Sequence, residues 1–260
     1  METHDSENIG FVANPWPLRA DRPTLIFVHG SGQDKGFWVH QMTAFEQIAN
    51  VVALDLPGHG HSQGQGSGSV PGYTQEVAAF IARIEVPYPI PAGLSLGGAI
   101  TLQLLLDHPE HLAGGILANT GARLKVQQDI LDVIKSNYGG FVDSVCAFGL
   151  SPQSDAAAMR PQIETFTKAG SEVTFGDFSA CNNFDVMDRL AEIQTPVLVL
   201  TATDDYLTPP KYGQFMADKI PHARLANIEN AGHMAPFEKP AEFNQAVVEY
   251  LDSRYKNFGF

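Results

Sequence analysis

Ser95 is the residue of this sequence whose surroundings most clearly favour chemistry. It lies in Gly93-Leu94-Ser95-Leu96-Gly97, a Gly-x-Ser-x-Gly pattern. The apolar residues 86–91 before it predict a short buried strand, and residues 99–106 after it predict a helix. On so tight a turn a serine is exposed as a nucleophile, and glycines are required where side chains would collide with backbone. The pattern by itself is equally compatible with a glycine-rich turn that happens to contain a serine.

A serine hydroxyl attacks a carbonyl carbon only when a base removes its proton, and His233 is the candidate base. Asp205 would orient the imidazole and stabilise its charged form. Its neighbour Asp204 competes for this role, but in an extended backbone it would point roughly the opposite way. Ser95, Asp205 and His233 each follow a predicted strand directly. Since parallel strands gather their carboxyl ends at one edge of the sheet, we expect these side chains to meet there.

Two backbone N–H groups are expected to bind the oxyanion that forms during attack. The turn after the serine supplies the N–H of Leu96. The second donor should come from the loop after His29 and Gly30, where we favour the N–H of Ser31 over that of Gly32. We interpret His29 as a residue that fixes this loop rather than as a base.

The elements that position these residues follow from the apolar pattern. Runs of strand formers without a polar break are typical of strands buried on both faces of a parallel sheet. Such a run occurs at residues 24–28, further strands are predicted at 50–54, 114–119, 196–201 and 223–228, and an edge strand is expected near residues 9–12. Helices are predicted between them, among others over 37–49, 73–84, 211–220 and 240–255. This alternation predicts a three-layer α/β fold with a mostly parallel sheet and helices on both faces.

The alternation of strands and helices stops between residues 122 and 190, where the apolar residues have helical spacing and no strand is predicted. We expect this segment to be a helical cap over the carboxyl edge of the sheet, with residues 1–121 and 191–260 forming the core. Two hypotheses are open for its apolar residues. They line a substrate pocket, or they serve only for packing; the residues concerned are Phe141, Val145, Phe148 and Phe184.

In this order the motifs resemble those of α/β-hydrolase fold serine hydrolases with a helical cap, over residues 20–255. The matching segments are residues 29–32, 55–62, 93–98, 205–209 and 232–234. The resemblance implies the nucleophile–acid–histidine order Ser95, Asp205, His233, because the acid of this family precedes a proline by four residues, as Asp205 precedes Pro209. It also implies that His59 and His61 belong to loop structure rather than to a metal site. Leu94 departs from the histidine that many relatives have there, which leaves the subfamily open.

The resemblance implies a serine hydrolase without metal or cofactor that acts on a small carboxylic ester or related acyl compound through an acyl-Ser95 intermediate. Lactone hydrolysis or hydrolytic carbon–carbon cleavage by the same residues is an alternative. A ligand-binding relative without activity is another. Serine at the nucleophile position argues against relatives that use aspartate there, such as epoxide hydrolases and haloalkane dehalogenases.

Composition restricts the partners. The net charge of −13, from 29 acidic and 16 basic residues, disfavours nucleic acids and anionic membranes. No apolar run is long enough for a membrane span and no secretory leader is visible, so we expect a cytoplasmic protein with a small-molecule substrate; a homodimer is open. Cys146 and Cys181 lack metal-ligand spacing and are expected to be free thiols, with a disulfide between them as the alternative.

Overall fold

A central sheet organises the fold. The computed structural model describes residues 2–255, so Met1 and residues 256–260 of the predicted core lie outside the described residues. In the described part, eight strands form one sheet in the order β1-β2-β4-β3-β5-β6-β7-β8. The strands are β1 (Thr3–Ser6), β2 (Ile9–Asn14), β3 (Thr24–Val28), β4 (Asn50–Leu54), β5 (Pro89–Leu94), β6 (Gly115–Ala118), β7 (Val197–Ala202) and β8 (Ala223–Ile228). The predicted α/β fold is confirmed.

Strands β3 to β8 are parallel, and β1 and β2 form an antiparallel edge. Strand β3 lies at the centre, where Thr24 pairs with Asn50 of β4 on one side and with Pro89 of β5 on the other. The strand order therefore reverses beside β3. Open parallel sheets form their sites at the carboxyl ends of the strands near such a reversal.

Helices cover both faces of the sheet. They are α1 (Val70–Arg83), α2 (Leu96–Asp107), α3 (Gln128–Ser136), α4 (Tyr138–Phe148), α5 (Ala156–Phe166), α6 (Ser171–Asn183), α7 (Pro210–Lys219), α8 (Ala235–Glu238) and α9 (Pro240–Tyr255). One core cluster packs α1, α2 and α7 on the sheet, with Phe80 and Leu102 fully buried. The other packs α9 against Phe27 and Trp38. No helix among the described residues is long and apolar enough to cross a membrane.

The helix predicted over residues 37–49 is wrong. A short 3₁₀ helix covers Lys35–Trp38. Turns follow in which an N–H bonds to the carbonyl three residues earlier, such as that from Gln41 N–H to the carbonyl of Trp38. The apolar residues are buried as the pattern predicts, including Met42 and Phe45. Low helix propensity explains the difference, because aromatic and β-branched residues are frequent in this segment.

Helices α3 to α6 all lie between β6 and β7, inside the segment expected to form a cap. Helix α6 contacts both α3 and α2, so it joins the inserted segment to the sheet layers. Both cysteines are free and buried, as favoured from the sequence. Burial raises the pKa of the Cys181 thiol to about 12.

Candidate active site

Ser95 lies on a strained turn between β5 and α2. Its φ of 52° and ψ of −111° are outside the regions that side chains normally allow. A Cβ on Gly97 would lie 2.2 Å from the carbonyl oxygen of Val28, and one on Gly93 would lie 2.0 Å from the backbone carbon of Gly97. Both predicted collisions are thus confirmed. The turn presents the Ser95 side chain to a cavity at the carboxyl edge of the sheet.

His233 lies in the loop after β8 and lines the same cavity. Its Nδ1 lies 3.0 Å from Oδ2 and 3.2 Å from Oδ1 of Asp205, which follows β7. An ionised carboxylate only accepts hydrogen bonds, so Nδ1 carries the proton and Nε2 keeps a lone pair. The histidine is therefore held in the tautomer that a general base requires. Ser95 Oγ has no hydrogen-bond partner among residues 2–255.

Asp204 points elsewhere, as its position in the chain predicts. Its Oδ2 accepts a hydrogen bond from Ser151 Oγ at 2.6 Å, whereas Asp205 is buried beside the imidazole. The structure thus brings Ser95, His233 and Asp205 to one edge and directs Asp204 toward the inserted segment.

The expected oxyanion donors lie at the same cavity. Ser31 lines it, and Leu96 begins helix α2, so its N–H has no partner within the helix. The N–H of Gly32 is already bonded to Asp177 Oδ2 at 2.8 Å. The N–H of Ser31 has no acceptor among residues 2–255. This difference supports the preference for Ser31 over Gly32.

The cavity holds about 590 Å³ and lies between the sheet edge and the inserted helices. Three of the four apolar residues expected at a pocket, Phe141, Val145 and Phe148, line it. Phe184 does not, which corrects the prediction for that residue. It follows the last residue of α6, where the chain turns back toward the sheet, and its side chain is buried in the core cluster beneath α2.

With this geometry in hand, comparison with known proteins assigns the family. A model of the alpha/beta hydrolase family matches residues 25–246. The chain belongs to the alpha/beta hydrolase family. It is 29% identical over 245 residues to 3-oxoadipate enol-lactonase 2 of Acinetobacter baylyi, which covers 88% of each chain. It is 30% identical over 248 residues to the putative carbamate hydrolase RutD of Serratia proteamaculans, covering 88% of this chain and 91% of that one.

Solved structures agree on the fold. A thermophilic esterase superposes with a TM-score of 0.81 at 30% identity, covering 99% of this chain and 98% of the esterase. The enol-lactonase of Burkholderia xenovorans superposes with a TM-score of 0.85 at 21% identity, covering 96% and 99%.

Two residues of this hydrolase that support the candidate acid were not predicted from the sequence. Asn119, which follows β6 with a φ of 44°, donates from Nδ2 to Asp205 Oδ2 at 2.9 Å. Thr208 donates to the carboxylate from Oγ1 at 2.6 Å and from its N–H at 2.8 Å. Burial would raise the pKa of Asp205, but the charge and hydrogen bond of His233 and the bonds from Thr208 outweigh it and lower the pKa to about 2. Asn119 lies at the end of a predicted strand, and only that position marks it in the sequence.

A third unpredicted residue holds the histidine loop. Glu238 of α8 is buried and accepts the N–H of Gly232 at 2.9 Å and the N–H of Ser151 at 2.7 Å. The N–H of Met234 also donates to the carbonyl of Gly149. The loop that carries His233 is therefore fastened to the inserted segment on both sides of the histidine.

Three other histidines of the hydrolase hold loops in place. His29 accepts the N–H of Leu56 at Nε2 and donates from Nδ1 to Gly30 O, which makes it neutral, and burial lowers its pKa to about 4. His59 has acceptors at both ring nitrogens, Pro57 O and Asp177 Oδ2, whereas Nδ1 of His61 contacts the ammonium of Lys35. This pattern agrees with the structural role expected for all three histidines.

Proposed function

We propose that this hydrolase cleaves neutral carboxylic esters with an apolar acyl group through an acyl-Ser95 intermediate. The proposal is carried by one arrangement. A strained serine and a histidine with a free Nε2 lone pair, held by the Asp205 carboxylate, line the same apolar cavity. The esterase and lactonase names among the similar proteins support the same class of reaction.

The proposed reaction has two halves. Ser95 Oγ attacks the ester carbonyl carbon while its proton passes to Nε2 of His233, and Asp205 stabilises the imidazolium. The N–H groups of Ser31 and Leu96 bind the oxyanion. The carbon–oxygen bond of the ester then breaks, and His233 returns the proton to the departing alcohol. Water, deprotonated by His233, attacks the acyl carbon. The bond from that carbon to Ser95 Oγ then breaks, His233 returns its proton to Ser95 Oγ, and the carboxylic acid leaves.

The cavity wall supports a neutral, apolar acyl group. Most of its side chains are apolar, among them Leu124, Ile130, Phe141, Val145, Phe178 and Met234. Among the described lining residues, the permanently charged side chains are Lys125 and Asp129, and both are exposed. The ammonium of Lys125 donates to the carbonyl of Asn182 at 2.9 Å. An ionised acyl group would therefore find no buried cation to bind it.

Large apolar side chains continue from the cavity to the surface. Val133, Phe148, Tyr206 and Leu207 line the cavity and are also exposed; for Phe148 and Tyr206 the exposed fractions are 63% and 68%. An acyl chain longer than the cavity would cover this apolar rim. Medium-chain esters are accordingly the preferred substrates in this proposal.

The cellular setting is also a proposal. Two free cysteines and a net charge of −13 fit a small-molecule hydrolase of the cytoplasm, where thiols stay reduced.

Lactones are the second candidate substrates, and the enol-lactonase relatives favour them. The same residues would open the ring, with the alcohol remaining on the acyl chain. A panel of p-nitrophenyl esters, lactones and diketones, tested with the wild type and Ser95→Ala, separates the candidates. We expect Ser95-dependent turnover, highest with medium-chain esters, and rapid labelling of Ser95 by a fluorophosphonate. Turnover of lactones or diketones alone would mean that the enzyme cleaves a lactone or a carbon–carbon bond instead of an open-chain ester. Labelling without any turnover would indicate a binding protein.

A further inference from the structure

A carboxylate of helix α6 lies against the turn that carries the Ser31 N–H. Asp177 is fully buried. Its Oδ2 accepts the N–H of Gly32 at 2.8 Å and the Nε2–H of His59 at 2.9 Å, and its Oδ1 accepts the hydroxyl of Tyr73 at 2.6 Å. A buried carboxylate requires such donors, since an unpaired one would be strongly destabilising. Asp177 therefore joins the inserted segment to three separate parts of the core.

The bond to Gly32 fixes the peptide group next to the candidate oxyanion donor. Within the turn, Gln33 N–H donates to the carbonyl of Gly30 at 3.3 Å, and Gly32 has a φ of 70°, as the third residue of a type II turn requires. A Cβ at Gly32 would lie 2.9 Å from Oγ1 of Thr174, so α6 packs directly against the turn. The direction of the Ser31 N–H thus depends on α6 as well as on the turn's own bonds.

We propose that Asp177 is a positioning residue for the hydrolysis, because it holds the turn 30–33 so that the N–H of Ser31 faces the oxyanion. The inference rests on the proposed function, since the direction of that N–H affects the rate only where negative charge develops on a carbonyl oxygen. It gives the inserted segment a role in the chemical step beyond closing the cavity.

The first test compares kcat and KM for Asp177→Ala, Asp177→Asn and the control Tyr138→Phe on a p-nitrophenyl ester. We expect Asp177→Ala to lower kcat about 10- to 100-fold, as misplaced oxyanion donors do, with KM changed less than about threefold. The amide oxygen of Asp177→Asn can still accept the Gly32 N–H, so this variant should recover most of kcat. The hydroxyl of Tyr138, in α4, lies 3.2 Å from Oγ1 of Thr174, which is in α6 like Asp177, but it does not contact the turn itself. Tyr138→Phe should therefore keep wild-type kcat.

The inhibition constant of a trifluoromethyl ketone gives a readout that a purely structural role would not move. Ser95 Oγ adds to the ketone carbon, its proton passes to His233, and the ketone oxygen becomes the oxyanion of a hemiketal. In Asp177→Ala this constant should rise by about the factor by which kcat falls. A variant that only loosens the fold would lower Tm and the active fraction while its folded fraction bound the ketone normally.

Wild-type kcat and ketone affinity in Asp177→Ala would overturn the inference, and so would an Asp177→Asn variant as impaired as Asp177→Ala. Absence of Ser95-dependent turnover in the wild type would contradict the proposed function instead. If Asp177→Ala fails to fold, amide hydrogen exchange of the wild type decides. Protection of Gly32 without inhibitor, and of Ser31 only with the ketone bound, supports the inference; a Ser31 amide that gains no protection overturns it.

Discussion

Asp205 and Asp204 are adjacent carboxylates with different predicted effects on the rate. In Asp205→Asn the amide oxygen is drawn to the place of Oδ1, which accepts the N–H groups of Leu207 and Thr208. The NH₂ group then faces Nδ1 of His233 and favours the tautomer in which Nε2 is protonated and cannot act as a base. We expect kcat to fall by about 10⁴-fold, measured with a p-nitrophenyl ester.

Asp204→Asn is the matched control for that measurement. Its side chain can still accept the hydroxyl of Ser151, so kcat should stay within about threefold of the wild type. The reverse outcome, with activity lost in Asp204→Asn and kept in Asp205→Asn, would move the acid by one residue.

At the residue scale, sequence reasoning found the groups that local motifs mark. Ser95, Asp205 and His233 each stand in a short pattern of glycine, proline or strand residues. Asp177 stands in no such pattern, and its bond to Gly32 spans 145 positions. Such a contact depends on how α6 packs against the core, which the spacing of residues along one helix does not encode.

Among the elements, the turn at Ser95 has the least tolerance for added atoms. Gly97→Ala would place a Cβ 2.2 Å from the carbonyl oxygen of Val28, in the central strand, where the backbone cannot yield. We expect a loss of about 3 kcal/mol or more in the free energy of unfolding, measured by urea denaturation.

Gly139→Ala is the control for this substitution, since Gly139 lies in α4 and its nearest atom would be 3.9 Å from the new Cβ. Alanine there should stabilise the fold by about 0.5–1 kcal/mol. Equal stabilities of the two variants would mean that the turn is not as tight as the geometry indicates.

The exposed apolar rim of the cavity should set the preference for acyl length. Phe148→Ala removes a ring that is 63% exposed, so it leaves little empty core volume and should cost little stability. For octanoate esters kcat/KM should fall about tenfold, because the contacts to the distal methylenes are lost, while acetate esters should be unaffected.

Val39→Ala, a truncation at a 44% exposed residue that does not line the cavity, is the control and should leave both values unchanged. A uniform loss on acetate and octanoate in Phe148→Ala would argue against a role of the rim in chain-length preference.

At the element scale, central strands such as β3 were predictable because they are nearly uninterrupted apolar runs, whereas the edge strand β1 has a polar sequence and carries no such signal. The segment 37–49 was not, since its apolar spacing suits both an α-helix and the tighter turns that the structure has. Phe184 shows a related limit. Helical spacing predicts that an apolar side chain points into the protein, but whether it faces a cavity or the core depends on where the helix ends.

At the scale of the whole molecule, two neighbouring histidines of the core, one of which binds Asp177 of the inserted segment, have pKa values shifted in opposite directions. The ring centroids of His29 and His59 are 4.8 Å apart. Burial, assisted by the charge of His59, lowers the pKa of His29 to about 4. Burial would also lower the pKa of His59, but the hydrogen bond and charge of Asp177, with smaller contributions from Pro57 O and Asp55, raise it.

These shifts act on stability with opposite signs. The ordinary histidine pKa is 6.5. Between pH 4 and 6.5 the unfolded chain binds the extra proton at His29, so the free energy of unfolding increases with pH across that range. The raised pKa of His59 contributes stability that is fully present below pH 6.5 and is lost as pH rises through its folded-state pKa. Together, the two effects place the pH of greatest stability between the range in which His29 adds stability as pH rises and the range in which His59 loses it.

The contribution of His59 can be isolated with Asp177→Asn, which removes the charge that raises its pKa. In the wild type we expect the free energy of unfolding to decline above pH 6.5, by at most about 1.4 kcal/mol per pH unit for one proton. The decline should be shallower in Asp177→Asn and unchanged in Asp204→Asn, measured by urea unfolding between about pH 6.5 and 8, below the range where thiols titrate. Because groups common to all three proteins cancel in the comparison, identical pH slopes in the wild type and Asp177→Asn would mean that the Asp177 carboxylate does not hold the proton on His59.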